Sequence, residues 1–143
     1  MQPEIRVLFV CTENSARSQM AEALARELGR GRVAAFSAGV EPQPIHPLAI
    51  RAMRNARIDI SAQRSKHWLT LADQHFDYVI TVCDRARERC PTWIMPHEDV
   101  HWSIDDPALA AGTESERLAV FTRVLNELRN RVSLFLVSNR IVL

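Results

Sequence analysis

The most restrictive feature of the chain is an abrupt change of periodicity near its start, in IRVLFVCTENSARSQMAEAL. Ile5 to Val10 is a continuous apolar, β-branched run, the pattern of a strand buried on both faces. From Ser18 the period becomes helical. Met20, Ala21, Leu24, Ala25 and Leu28 share one face, and Gly29 and Gly31 punctuate the end. Between the two lie only Cys11 and a short polar turn to Arg17. A buried strand that becomes a helix this quickly belongs to a layered α/β fold, in which ligands sit at the carboxyl ends of strands.

The alternation continues downstream. Val33 to Ser37 reads as a second short strand ending at Ala38-Gly39, EPQPIHP as a loop, and Leu48 to Ala56 as a helix with Ile50 and Met53 inward. Phe76 to Val82 is a third strand, again ending at a cysteine, Cys83. Asp84 to Arg89 is a short basic segment closed by Pro91, and WIMPHEDVHWSIDDPA is extended and proline-broken, with room for a fourth short strand. Thr113 to Val137 is the clearest helix. Leu118, Phe121, Leu125, Leu128, Val132 and Phe135 alternate by threes and fours, and Thr113 with Glu116 fits a capping box. The expectation is a single α/β domain over 1–143: a four-stranded parallel sheet with helices on both faces, flavodoxin-like. Cys11 and Cys83 would then meet on one rim.

With 143 residues and 47% hydrophobic content the chain suits one core. Its 18 basic and 17 acidic residues leave no strong field for nucleic acid or an anionic membrane, so any anion site is local. MQPEIRVLFVC is too short and too charged for a signal peptide, and no apolar run approaches spanning length. A cytoplasmic monomer is expected. There the three cysteines, Cys11, Cys83 and Cys90, are kept reduced, which leaves packing, metal-ligating, redox or catalytic roles.

A strand-to-helix turn aims backbone N–H groups inward, and the helix N-terminus adds partial positive charge, so Thr12, Glu13, Asn14, Ser15, Ala16, Arg17 and Ser18 form a candidate oxyanion loop. Arg17 can offer a bidentate fork to two oxygens of a tetrahedral anion. Positive charge and a helix N-terminus beside a cysteine favour the nucleophilic thiolate. Ser18 can donate a hydroxyl to it, and Asn14 can bridge the turn from inside. The competing reading makes Cys11 a packing residue and Arg17 a surface helix residue.

VCTENSARSQMAEAL resembles the active-site loop of the low-molecular-weight phosphotyrosine phosphatase superfamily, whose hallmark is Cys-x5-Arg followed by Ser or Thr. It is closest to the arsenate reductase branch. The resemblance extends through FSAG at 36–39, VCDRARERCP around Cys83 and Cys90, and HWSIDDPA at 101–108. It implies a low-molecular-weight phosphatase-like fold, Cys11 as nucleophile on arsenate, and Asp106, the Asp before Pro, as the acid for the departing oxygen. Phosphate and sulfate would compete as anions. It also implies a relay. Cys83 attacks the Cys11–arsenic adduct and releases arsenite, Cys90 then attacks Cys83, and thioredoxin reduces the resulting disulfide; no cofactor or metal is bound.

Were 83–90 helical, the Cys83 and Cys90 Cα atoms would lie about 10 Å apart, against the ~7 Å a disulfide tolerates, so oxidation would require that segment to unwind. Lys66 stands where relatives with a potassium site carry an acid. Its ammonium is expected to replace that cation, supporting Asn14 and Glu22, with Ser37 and Ser18 in the same supporting layer.

Two other readings share these residues. A low-molecular-weight phosphatase would hydrolyse phosphate monoesters from the same loop, and a non-enzymatic thiol redox sensor or oxyanion-binding module would use it without turnover. The aromatic pattern disfavours the phosphatase: relatives of that kind flank the site with a Tyr after Asp-Pro, whereas Ala108 stands here and the sole tyrosine, Tyr78, lies in a strand. HEDVH at 97–101 matches a zinc-protease pattern, but that pattern needs a helix, and Pro96 and Pro107 bracket the segment. His46, His67 and His75 form no constellation.

Overall fold

The computed structural model of the chain describes residues 4–83 and 97–142. Four parallel strands, β1 (Ile5–Cys11), β2 (Val33–Gly39), β3 (Tyr78–Thr81) and β4 (Glu98–His101), are ordered β2-β1-β3-β4. Helices α1 (Arg17–Leu28), α2 (Pro47–Asn55) and α3 (Glu114–Ser138) are joined by two 3-10 turns, η1 (Trp68–Leu71) and η2 (Pro107–Leu109). The parallel sheet expected from the alternating pattern is present, and every strand lies within or at the edge of its expected segment. The segment 84–96, which holds Cys90 and the basic run after Cys83, lies outside the described residues.

The unbroken apolar run of β1 is explained by its place at the centre of the sheet. Val7, Phe9 and Cys11 face the main core with Val33, Ala35 and Ile80, beneath all three α-helices. Leu8 and Val10 face a smaller cluster with Ala38, Leu71, Phe76 and Val79, covered by η1. α3 closes the main core with Phe121, Val124, Leu125, Leu128 and Val132, all buried. Its capping box is complete: the Glu116 N–H donates to Thr113 Oγ1 at 3.1 Å, and the Thr113 N–H to Glu116 Oε1 at 3.2 Å.

α2 departs slightly from its expected bounds. It starts at Pro47, with His46 as N-cap and its Nδ1 accepting from the Leu48 N–H at 3.1 Å. A proline at the first helical position is what such a start favours, since its missing N–H costs nothing there. Met53 is buried as expected, whereas Ile50 is only half-buried, because the inward face is Leu48, Ala49, Ala52 and Met53.

The carboxyl edge of the sheet carries Cys11 at the end of β1 and Cys83 two residues beyond β3. Gly39 ends β2 beside Cys11, its register partner. A Cβ on Gly39 would stand 2.7 Å from the Thr12 carbonyl oxygen, 2.9 Å from the Asn14 nitrogen and 3.0 Å from the Cys11 carbonyl oxygen. All three are backbone atoms, so no side chain can swing aside. Gly39→Ala is therefore expected to displace the loop, costing about 1–3 kcal/mol by overpacking. Urea unfolding, with the alkylation rate of Cys11, measures this; unchanged stability and rate would contradict it.

Candidate active site

The turn after β1 is held from its outside. The Val40 and Glu41 N–H groups both donate to the Thr12 carbonyl at 2.9 Å, Gln43 N–H to Glu13 at 3.0 Å, and His46 N–H to Ser15 at 2.9 Å. Ser65 Oγ adds a bond to the Glu13 carbonyl at 3.1 Å. Anchoring carbonyls on one side lets N–H groups face the other, and Asn14 N–H does so, 3.3 Å from Cys11 Sγ. The turn requires a left-handed residue, and Asn14 takes it at φ 52°, a conformation Asn tolerates better than most. Glu13 is exposed, its acid directed away from the thiol.

Cys11 is a free thiol, buried at 2% exposure. Its Sγ lies 2.8 Å from Ser18 Oγ, and Asn14 Nδ2 donates to that same oxygen at 2.7 Å. Among the described residues, no side chain caps α1, whose N-cap is Ala16, and its first turn holds no acid. A helix start without a cap leaves N–H groups and partial positive charge for an anion.

Arg17 is not a surface helix residue. It is 3% exposed, and its NH1 donates to the Ile104 carbonyl at 3.1 Å. Its NH2 lies 3.7 Å from Asp106 Oδ2. The segment before Asp106 explains how that carboxylate reaches the loop. Trp102 packs on Phe9 and Phe135 with centroids 6.0 and 6.3 Å away, and Ile104 is fully buried. Asp106 caps η2 by accepting from the Ala108 N–H at 3.0 Å, while Asp105 is exposed.

A supporting layer lies beneath. Ser37 Oγ donates to Glu22 Oε1 at 2.8 Å, Arg26 NH2 donates to Glu22 Oε2 at 3.0 Å, and Lys66 Nζ stands 3.9 Å from Glu22 Oε1. The Lys66 backbone N–H donates to Asn14 Oδ1 at 2.9 Å, and its ammonium to the Arg64 carbonyl at 2.8 Å. Burial lowers the Lys66 pKa, opposed by Glu22 and reinforced by Arg26. Thus Asn14, Ser18, Glu22, Ser37 and Lys66 lie in one connected layer. Cys83 is fully buried, two residues beyond the neighbouring strand β3; Cys90 lies outside the described residues.

His46 was not legible as part of this site. Its ring stacks on Phe121 at 4.6 Å, and it lies close enough to Asp106 and Arg117 to feel both charges. A usable signal was the His-Pro pair, which marks an N-cap. The HEDVH segment forms strand β4, not the helix that zinc pattern needs. Within it, His101 Nδ1 contacts Thr81 Oγ1 at 2.6 Å and His97 pairs with Asp99. A cavity of about 540 Å³ opens beside the loop, walled by Pro42, Pro44, Ile45, Ile50 and Gln63 among others. Neither Cys11 nor Arg17 lines it, so it is distinct from the thiol site.

A buried cysteine in a strand-to-helix turn, with an arginine and an aspartate beside it at the edge of a parallel sheet, is an arrangement that suits thiol-dependent enzymes of phosphatase type. The chain belongs to the low-molecular-weight phosphotyrosine protein phosphatase family, which it matches over residues 6–141. It is 42% identical over 130 residues to an arsenate reductase of Bacillus subtilis, covering 90% of this chain and 93% of that one. It is 36% identical over 127 residues to a glutaredoxin arsenate reductase of Synechocystis, covering 89% and 92%. Among solved structures it superposes on an arsenate reductase in the phosphate binding state with a TM-score of 0.76, at 36% identity over 94% of this chain and 98% of the other. A thioredoxin-dependent arsenate reductase of Corynebacterium glutamicum gives 0.74 at 26% identity, over 98% of this chain and 64% of that one.

The His46 environment sets a pH dependence. Burial lowers its pKa first, then repulsion by Arg117, with Asp106 opposing. As pH falls through ~6.5 the unfolded chain takes up a proton that folded His46 resists, so its stability contribution is present above that pH and lost below it. Protonation would also remove the lone pair that caps α2. His46→Asn keeps a cap without the titration. Urea unfolding between about pH 7.5 and 5.5 should show the parent losing stability relative to the variant; parallel curves would refute this.

Proposed function

We propose that the chain is an arsenate reductase that reduces arsenate to arsenite through an intramolecular disulfide relay, acting in the cytoplasm as a monomer with thioredoxin as electron donor. The observation that carries the reading is the convergence on Cys11 Sγ of the Asn14 N–H, which donates to it, and the Ser18 hydroxyl, which can donate to it as a thiolate, beside Arg17 and Asp106. The family membership and the arsenate reductases among its relatives support the same chemistry.

The loop from Thr12 to Ser18 holds the oxyanion, Arg17 bridges two of its oxygens, and Cys11 attacks arsenic in line. Asp106 protonates the departing oxygen, which leaves as water. Cys83 then attacks Cys11 Sγ. The sulfur–arsenic bond breaks, its electron pair reduces arsenic, arsenite departs, and a Cys11–Cys83 disulfide remains. Cys90 attacks Cys83 and frees Cys11, and an external dithiol reduces the Cys83–Cys90 disulfide. Cys11 ends β1 and Cys83 follows the end of the adjacent β3, an arrangement that suits this order. Val10 pairs with Thr81, so Cys83 stands one residue further out than Cys11. The thioredoxin-dependent neighbour supports thioredoxin as donor, and the glutaredoxin arsenate reductase marks the competing donor.

Cys83→Ser tests the reading when arsenate and an aryl phosphate are compared as substrates. Arsenate reduction with thioredoxin is expected to fall to background while Cys11 still reacts with iodoacetamide. Retained aryl phosphate turnover as the main activity of the parent would support a phosphatase; neither activity in the parent would leave a thiol sensor. Exchange of thioredoxin for glutathione-coupled glutaredoxin identifies the donor.

Lys66 takes the place of a bound cation in the same reading. Its ammonium lies between Glu22 and the Arg64 carbonyl, while its backbone holds Asn14. Arsenate affinity should therefore be flat when potassium is exchanged for choline at constant ionic strength. A strong potassium dependence would rule this role out.

A further inference from the structure

Two glutamines next to the turn, Gln19 and Gln63, connect it to Arg26 by amide hydrogen bonds whose directions are set by partners that can only donate or only accept. Arg26 has only donors, and its NH1 points at Gln63 Oε1 at 3.4 Å. Gln63 Nε2 therefore faces Gln19, donating to its Oε1 at 2.7 Å and its carbonyl at 3.1 Å. Gln19 Nε2 faces three oxygens: the Asn14 carbonyl at 3.1 Å, Asn14 Oδ1 at 3.0 Å and the Arg64 carbonyl at 2.9 Å. Two of these are backbone carbonyls, which only accept, so the Gln19 amide has one permitted orientation.

The same logic passes through Asn14. Its Oδ1 also accepts from the Lys66 backbone N–H, which only donates. Nδ2 is thereby turned to Ser18 Oγ, 2.7 Å away. With that donor on one lone pair of its oxygen, Ser18 keeps its own hydrogen available for Cys11 Sγ, 2.8 Å distant, which, once it is a thiolate, can only accept. Reversing any one amide would set donor against donor or acceptor against acceptor along the row. Gln19 and Asn14 are fully buried, where such a mismatch has no water to relieve it.

We propose that Gln19 and Gln63 are positioning residues that fix the polarity of the amide chain leading to Ser18, so that the Ser18 hydroxyl hydrogen stays available to the Cys11 thiolate. They touch neither the thiol nor the oxyanion. Their effect is on which protonation state of Cys11 the network favours: a hydroxyl hydrogen directed at sulfur stabilises the thiolate, and a lone pair directed there does not. The inference concerns the thiol that the proposed reductase chemistry uses, but its test needs no substrate, so failure of the arsenate reading would leave it standing.

The experiment is the pH profile of Cys11 alkylation by iodoacetamide in a background with Cys83 and Cys90 changed to Ser, with thermal unfolding measured in parallel. Gln19→Glu replaces the donor facing three acceptors with another acceptor and draws Asn14 Nδ2 away from Ser18. A shift of the profile by about one pH unit upward is expected, a tenfold slower reaction near neutrality, the size of one hydrogen bond to a charged group. Where that buried variant does not fold, Gln63 decides, because it is half-exposed. Gln63→Glu reverses the polarity at the start of the chain and should move the profile in the same direction. Gln63→Met removes the donor without reversing anything and should move it by less than half as much. Profiles of folded Gln63→Glu that coincide with the parent, or equal shifts in Gln63→Glu and Gln63→Met that follow their thermal stabilities, would overturn the proposal.

Discussion

The functional geometry rests on the anchoring of one short turn by its carbonyls. Thr12, Glu13 and Ser15 give their oxygens to N–H groups of residues 40–46. Each such bond is worth only ~1 kcal/mol net. Together they remove the turn's freedom before any ligand arrives. An oxyanion loop acts by having its donors in place when charge develops, without reorganisation at that moment. The positive φ of Asn14 and the absent side chain of Gly39 are local costs of that arrangement. β2 has to end beside β1 in glycine because the loop folds back directly over it.

The distribution of buried polar groups follows from the same constraint. Asn14, Ser15, Arg17, Ser18, Gln19, Glu22, Ser37 and Thr81 are buried, and all but Thr81 belong to the loop, its helix or the layer beneath them. Elsewhere the core is apolar, built of Val, Leu, Ile, Phe, Ala, Met and Trp. Burying a polar group costs free energy unless it is hydrogen-bonded, so a core concentrates such groups only where they are satisfied together. Glu22 illustrates the balance. A buried carboxylate beneath an anion site would repel the ligand, but the Arg26 and Lys66 cations offset its charge and Ser37 donates to its Oε1.

Sequence alone conveyed the architecture because the strongest signals were the ones the fold uses. The β1 run, the α1 face and the capping box of α3 are local patterns with one physical solution each. The site was legible where chemistry forces residue types into a fixed spacing, as from Cys11 to Ser18, or where a motif is contiguous, as in Asp106-Pro107. Three things were not legible. His46 lies sixty residues before Asp106 in the chain, and their proximity arises only when α2 and η2 pack near α3. Ile50 shows the usual limit of reading a helix face near its edge. Gln19 and Gln63 resemble ordinary polar residues, since amide orientation depends on which backbone groups end up opposite, information no periodicity holds.

The placement of the aromatic side chains bears on what the loop can accept. Tyr78 begins β3 in register with Val7, four residues before Cys11, and its ring packs edge-on against Phe135 at 4.9 Å. It therefore belongs to the far end of the sheet. At the near end, the residues after Asp106 are Pro107, half-buried Ala108 and exposed Leu109, none with a flat ring. An aryl ester bound at Cys11 would have no tyrosine against which to stack, whereas a bare tetrahedral oxyanion needs only charge and N–H donors, the groups that the proposed site at the loop and Arg17 would offer. The proposed reduction also requires a source of electrons, and Cys83, fully buried just beyond the adjacent strand, is poorly placed for contact with an external reductant. The proposed relay through Cys90 answers that difficulty, because a second thiol takes over the oxidation and Cys83 itself need not meet the reductant.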